Sequence, residues 1–199
     1  MAMSVLPPLL PDRTRRDWTA DELRALPDDG NRYEIVDGEL LVTPAPSLVH
    51  QDAVGELFLL LAPYARRNDL HCIIAPAEVR FSPNRVVQPD VFVVPFIGGR
   101  KPARLDDVHR LILAVEVLSP SSARADRHSK RHLYQSQSVP EYWIVDPANR
   151  FVERWRPGDD APEVLLDSLT WTPREGGEPL VIDLAAYFRR VHGADGGAG

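Results

Sequence analysis

Apolar positions recur along the chain with two different periods. In "SLVHQDAVGELFLLLAPYARRN", residues 47–68, Val54, Leu57, Phe58 and Leu61 fall on one face at helical spacing and predict an amphipathic helix. Pro63 lies inside that pattern and predicts a kink or a break between two helical pieces. "WTADELRALPDD" carries a Thr cap and a short helical pattern closed by Pro27. "YEIVDGELLV" alternates on either side of Asp37-Gly38, a strong hairpin signal near the N-terminus. Strands are predicted at "HCIIAPAEVRF", "PDVFVVP" and "LILAVEVL", then a polar helix "SARADRHSKRHLYQSQS" and a strand "EYWIVDP". A strand pair near "FVERWRP" and "EVLLD" and a short helix "DLAAYFRRV" complete the chain. Helix, three strands, helix, strand in the middle predicts an α/β or α+β fold with a sheet flanked by helices, not a bundle or sandwich.

Composition narrows the class without naming a function. The chain has 199 residues, 44% hydrophobic and 26% charged, which suits one soluble globular domain. Residues 16–191 are expected to form it, with loosely ordered ends at 1–15, rich in proline, and 192–199, ending "GADGGAG". Lys plus Arg 23 against Asp plus Glu 29 gives a net charge of -6, so any contact with nucleic acid must use a local patch. The single cysteine, Cys72, cannot form an internal disulfide, and a reducing cytoplasm fits. No apolar run reaches membrane-spanning length, and the first residues lack the apolar core of a secretion signal.

Two acids stand out against this background. Glu116 is the only charge in "LILAVEVL", a run apolar enough to be a strand covered on both faces. An unpaired carboxylate buried there would cost several kcal/mol, roughly, unless a cation or hydrogen bonds compensate; the plain alternative is a strand end that reaches water. Asp90 follows Pro89 at the mouth of the preceding apolar strand. Consecutive strands often pair, and two carboxylates brought together repel unless one is protonated or a cation joins them. Oxygen ligands of this kind favour Mg²⁺ or Mn²⁺. The six histidines are scattered, and His128 and His132 have no third partner for zinc.

With Asp90 after a proline and Glu116 on the next strand, the chain resembles the PD-(D/E)XK nuclease superfamily. "YEIVDGEL", "TPAPSLVHQ", "VQPDVFVV" and "AVEVLSPSSARADRHSKRHLYQSQSVPEYWIVDP" resemble its Uma2 (DUF820) branch, over roughly residues 18 to 190. The resemblance implies a restriction endonuclease-like core with a mixed central sheet between helices. It implies a metal-dependent phosphodiester hydrolase acting on nucleic acid, DNA foremost, with Asp90 and Glu116 as ligands of Mg²⁺ or Mn²⁺. The superfamily lysine, expected two residues after the second acid, is here Leu118. In the Uma2 pattern the lysine comes from the following helix, where this chain has Lys130; Tyr134 shares its face. By spacing alone, Asp126 and Lys130 read as an ordinary surface pair.

The resemblance also brings forward Glu34, otherwise a solvent-facing strand residue, and His50, otherwise a polar residue opening a helix. Glu78 reads as structural or exposed, and Asp146 as the start of a turn. Arg124, Arg127, His128, Lys130, Arg131 and His132 form the one basic stretch able to meet a phosphate backbone. Against an enzyme stand Leu118 and the acidic net charge, which suit a non-catalytic nuclease-fold protein that binds nucleic acid or a protein partner. A third reading is an assembly protein, a homodimer formed through the C-terminal strands and helix.

Overall fold

The computed structural model describes residues 11–108 and 110–193. Most of the two ends expected to be loosely ordered lie outside those residues. Near the N-terminus, α1 (Ala20–Leu23) is one turn only. Thr19 and Glu22 cap it reciprocally, the Thr19 N–H donating to Glu22 Oε2 at 3.0 Å. The hairpin is β1 (Arg32–Val36) and β2 (Glu39–Thr43). Asp37 and Gly38 have φ of 50° and 80°, the left-handed pair that a two-residue type I′ turn needs. Gly38 is required twice over, because the Arg16 carbonyl lies where a Cβ would sit.

The long helix α2 (Leu48–Arg67) runs unbroken through Pro63. Pro63 is exposed, and the ladder bond it forgoes belongs to the carbonyl of exposed Leu59, so the loss falls on the solvent side. The expected strand 71–81 divides into two. β3 (Leu70–Ile74) and β4 (Val79–Ser82) are separated by Pro76, which has no N–H to give a ladder. β4 pairs with β5 (Arg85–Val87), and these join the hairpin in an antiparallel sheet of order β2-β1-β5-β4.

The central sheet takes β3 together with β6 (Val91–Pro95), β7 (Leu113–Val117), β8 (Glu141–Asp146), β9 (Phe151–Trp155) and β10 (Glu163–Leu165). Its order is β10-β9-β8-β7-β6-β3, with β7 and β8 parallel and every other pair antiparallel. A parallel pair needs a crossover, here α3 (Ala123–Ala125), a π-helical turn Asp126–Lys130 and α4 (Arg131–Ser136). Both faces of the sheet are covered. Leu113, Val115 and Val117 pack on one side with Leu57 and Leu61 of α2 and with Tyr187 and Phe188. Ala114 and, at its margin, Leu118 pack on the other with Leu133, Tyr134, Tyr142 and Ile144. This double cover is why β7 reads as nearly continuous hydrophobic sequence. It also means that Glu116, projecting to the second face, points beneath the crossover helix and not into solvent.

A two-stranded ribbon, β11 (Ser168–Trp171) and β12 (Leu180–Asp183), was not foreseen from sequence. It alternates buried Leu169 and Trp171 with exposed Ser168 and Thr170. Asp183 then caps α5 (Leu184–His192), accepting from the Ala186 N–H at 2.8 Å. No described helix is long and apolar enough to cross a membrane.

Candidate functional site

The β6–β7 register pairs Val91 with Val115, so one step further sets Asp90 across from Glu116. Asp90 is 2% exposed and Glu116 is 1% exposed. Asp90 Oδ2 accepts from the backbone N–H of Val117 at 2.8 Å and meets His50 Nε2 at 3.1 Å. Its Oδ1 accepts from Arg32 at 2.8 Å. Burial opposes ionisation of Asp90, but His50, Arg32 and the Val117 N–H outweigh it and hold the pKa to about 2. Glu116 stands in the opposite condition. Burial drives its pKa well above the usual carboxylate range; Lys130 offsets part of this, and Asp126, Asp90 and Glu34 add to it. Neighbouring carboxylates with pKa values pushed apart are a frequent mark of acid–base sites.

Lys130 is the cation beneath Glu116. Its Nζ lies 2.8 Å from Glu34 Oε2, 3.1 Å from Glu116 Oε1 and 3.4 Å from Asp126 Oδ1. Burial works against its charge, yet Glu116, Glu34 and Asp126 outweigh burial and hold its pKa well above the usual lysine value. The π-helical turn carries both Asp126 and Lys130 inward, so the pair is buried and not on the surface. Tyr134, on α4, donates its O–H to Glu116 Oε1 at 3.0 Å. Glu34 is 1% exposed, and its Oε1 accepts from the Gln88 N–H at 2.7 Å. The expectation of a solvent-facing Glu34 from strand alternation therefore fails, because the second face of β1 turns toward the crossover helix.

Asp90, Glu116, Lys130, Glu34, His50 and Tyr134 thus meet at one place. Arg32, two residues before Glu34 on the same face of β1, belongs with them and was missed. A basic residue paired in i, i+2 with a candidate acid was the only sequence signal for it. Glu78, half-buried just before β4, is not among the converging residues, although it lines an adjacent cavity with Arg32, His50 and Asp90. Asp146 begins the turn after β8, accepting from the Asn149 N–H at 2.9 Å.

The basic stretch is largely spent inside the fold, with Arg124, His128 and His132 left exposed. Lys130 points inward, Arg127 is bound to Glu153 at 2.8 Å and Asp146 at 3.4 Å, and Arg131 stacks on Trp155. A helix rich in cations here serves its own fold.

Asp90, Glu116, Glu34 and Lys130 line a cavity of about 520 Å³ whose rim comes from Pro44, Pro46, Ser119 and Pro120 among others. A neighbouring cavity of about 500 Å³ lies across a wall that includes Arg32, His50 and Asp90. Four buried carboxylates, Glu34, Asp90, Glu116 and Asp126, face two permanent cations, Arg32 and Lys130, so full ionisation, which burial of Glu116 and Asp126 resists, would leave two negative charges in excess. Both oxygens of Asp126 are buried without a hydrogen bond. That surplus, offered by oxygen donors, fits a hard divalent cation. Among the described residues no three His, Cys, Asp or Glu side chains are gathered as a ready cluster. Such an ion would rely on water and phosphate oxygens for the rest of its shell, as Mg²⁺ commonly does.

The family model described as "Uma2: Putative restriction endonuclease" matches residues 20–183. The chain belongs to the Uma2 family. A solved structure described as a "putative nuclease belonging to DUF820 from Anabaena variabilis" superposes on the Uma2 chain with a TM-score of 0.70. It is 19% identical, with 87% of this chain and 98% of that one covered, so the likeness is one of fold. The mixed sheet with flanking helices is accordingly a restriction endonuclease-like fold. No curated protein matches.

Proposed function

We propose that this Uma2 chain is a metal-dependent endonuclease that hydrolyses phosphodiester bonds in nucleic acid, DNA in the first place, using Mg²⁺ or Mn²⁺. The observation that carries the reading is the convergence of Asp90, Glu116 and Lys130 in one cavity wall, with the ammonium 3.1 Å from Glu116. Asp90 and Glu116 would hold the metal. When bound, the ion polarises a phosphoryl oxygen and lowers the pKa of an attacking water. Lys130 comes from the crossover helix in place of the lysine absent at Leu118, and its fixed charge offsets negative charge developing on the phosphate. Arg32 and His50 hold the Asp90 carboxylate in place, and Tyr134 fixes one oxygen of Glu116, leaving the acids little freedom to reorient.

The test is cleavage of plasmid, single-stranded DNA and RNA with Mg²⁺, Mn²⁺ or EDTA, comparing wild type with Glu116→Gln. Metal-dependent cleavage that Glu116→Gln abolishes is expected. A folded wild type that cuts none of the three is not a nuclease. One observation favours the non-catalytic alternative: Arg32, His50 and the Val117 N–H already occupy both oxygens of Asp90. In that case wild type binds nucleic acid or a partner protein without cutting.

A further inference from the structure

Away from the basic stretch, four cations without an ion pair gather at one end of the molecule. Arg66 and Arg67 are exposed in the last turn of α2. Arg100 and Lys101 are exposed in the connection after β6, where a tight turn joins Ile97 and Arg100 through backbone bonds of 2.8 and 3.1 Å. None of the four forms an ion pair among the described residues, although most of the chain's other cations do. They share one end of the sheet: β3 pairs Leu70 with Pro95, and the Phe96 N–H donates to the Asp69 carbonyl at 3.0 Å. Lys101 and Arg66 both depress the pKa of His71, after its burial, so they lie close to one ring. Arg100, Lys101, Ile97 and Asp107 line a shallow cavity of about 480 Å³. Of the nearby acids, Asp69 is paired with Arg174 at 3.8 Å, while Asp107, which accepts the Arg104 N–H at 3.2 Å, leaves four cations against one unpaired carboxylate. Compensation of the α2 dipole accounts for Arg66 and Arg67 but not for Arg100 and Lys101.

We infer that Arg66, Arg67, Arg100 and Lys101 form a second, phosphate-binding surface that grips the backbone of a nucleic acid away from the candidate reaction centre. The inference rests on the nuclease-fold reading for the class of ligand and deepens it by saying where the polymer is held. α2 connects the two places: His50 in its first turn touches Asp90, and Arg66 lies in its last. Sixteen residues at 1.5 Å each separate them by about 24 Å. At roughly 3.4 Å per phosphate along one strand, that distance spans about seven phosphates. The outer stripe of α2 between them, Asp52, Gly55, Leu59 and Pro63, is exposed and carries a single carboxylate, so little there repels a backbone lying alongside. The net charge of -6 then keeps the rest of the surface from competing.

The experiment is fluorescence anisotropy of labelled DNA in Ca²⁺, over a series of salt concentrations. It compares wild type, Arg66→Gln/Arg67→Gln/Arg100→Gln/Lys101→Gln, and a control that neutralises four other unpaired exposed cations, Arg13, Arg124, Arg150 and Arg189. The first variant should bind at least about ten-fold more weakly, and its log–log salt slope should fall by about 3 to 4 on duplex DNA. The control should bind like wild type. Equal weakening in both variants, or no binding by wild type at low salt, overturns the proposal, as does wild type sedimenting with phosphatidylserine vesicles while ignoring DNA. Hydrolysis of bis(p-nitrophenyl) phosphate with Mn²⁺ reports the carboxylate centre alone, because so small a diester cannot reach from one place to the other. Wild type that fails on the diester but binds DNA through the four cations keeps this surface and loses the nuclease reading. Wild type that cleaves the diester while both variants bind DNA equally does the reverse.

Discussion

Replacing Lys130 by Met tests whether the buried ammonium is what permits three acids to share one interior. The substitution keeps most of the apolar volume and removes a charge lying 2.8, 3.1 and 3.4 Å from Glu34, Glu116 and Asp126. At an effective dielectric near 20, a single contact of about 3 Å is worth about 5 kcal/mol, against a cost of several kcal/mol for burying the ammonium. Breaking such a network from one side leaves uncompensated charge and typically costs about 3–5 kcal/mol. The loss should depend on pH in a defined direction. Glu116 and Asp126 already have pKa values raised by burial, and without Lys130 they rise further. A carboxyl whose folded pKa lies above its unfolded value withdraws stability as pH rises from the unfolded pKa toward the folded one. Lys130 itself, with a raised pKa, stays charged throughout this range and adds no slope. The gap between wild type and Lys130→Met should therefore be widest near pH 8. It should shrink by about 1.4 kcal/mol per unit of acidification for each carboxyl that is protonated in the variant but ionised in wild type. Urea unfolding followed by tryptophan fluorescence, in EDTA, at several pH values between 5 and 8, measures this. A gap that is small, or the same at every pH, would refute the account of Lys130 as the counter-ion of the cluster.

Three further outcomes follow from the same geometry. Asp90→Asn should bind Mn²⁺ at least about ten-fold more weakly by calorimetry, given how strongly hard cations depend on carboxylate charge; equal binding removes Asp90 from the metal site. Lys130→Ala should lose on the order of 10²-fold in cleavage rate, and adding Leu118→Lys should restore part of it, because Leu118 lies on the Glu116 face and lines the same cavity. Folded Lys130→Ala that cuts at the wild-type rate ends that idea. Burial pushes the Cys72 thiol up to about 12, so it stays protonated at pH 8 and should react with Ellman's reagent only after denaturant is added; prompt labelling of native protein would contradict the buried placement.

What the sequence made legible was local or nearly so. Asp37-Gly38 announced its hairpin because a type I′ turn needs those residue types, and α2 announced itself because one face repeats for five turns. Asp90 and Glu116 could be brought together in advance because they open or sit in consecutive apolar strands, and consecutive strands often pair. Glu34, Arg32 and the β11–β12 ribbon were less accessible. Alternation in β1 assumes that one face meets water, whereas β1 has a crossover helix over its second face, supplied by residues some ninety positions away. Arg32 likewise becomes a site residue only through Asp90, which strand β1 does not touch in sequence.

Lys130 shows why spacing alone cannot assign such a residue. Asp126 and Lys130 at i, i+4 fit a solvated helix surface and a buried ion network equally well by local rules. The decision is made by charge neutrality in three dimensions. Glu34 arrives from the hairpin and Glu116 from the central sheet, and neither acid can be buried as an anion without a nearby cation. A lysine at position 118 would project from the same strand as Glu116. Lys130 instead descends from the crossover helix, and from there one ammonium reaches both Glu34 and Glu116. Leu118 is then free to pack at the margin of the core beside Leu133 and Tyr134. The departure from the superfamily pattern and the unexpectedly buried hairpin acid are thus two sides of one arrangement.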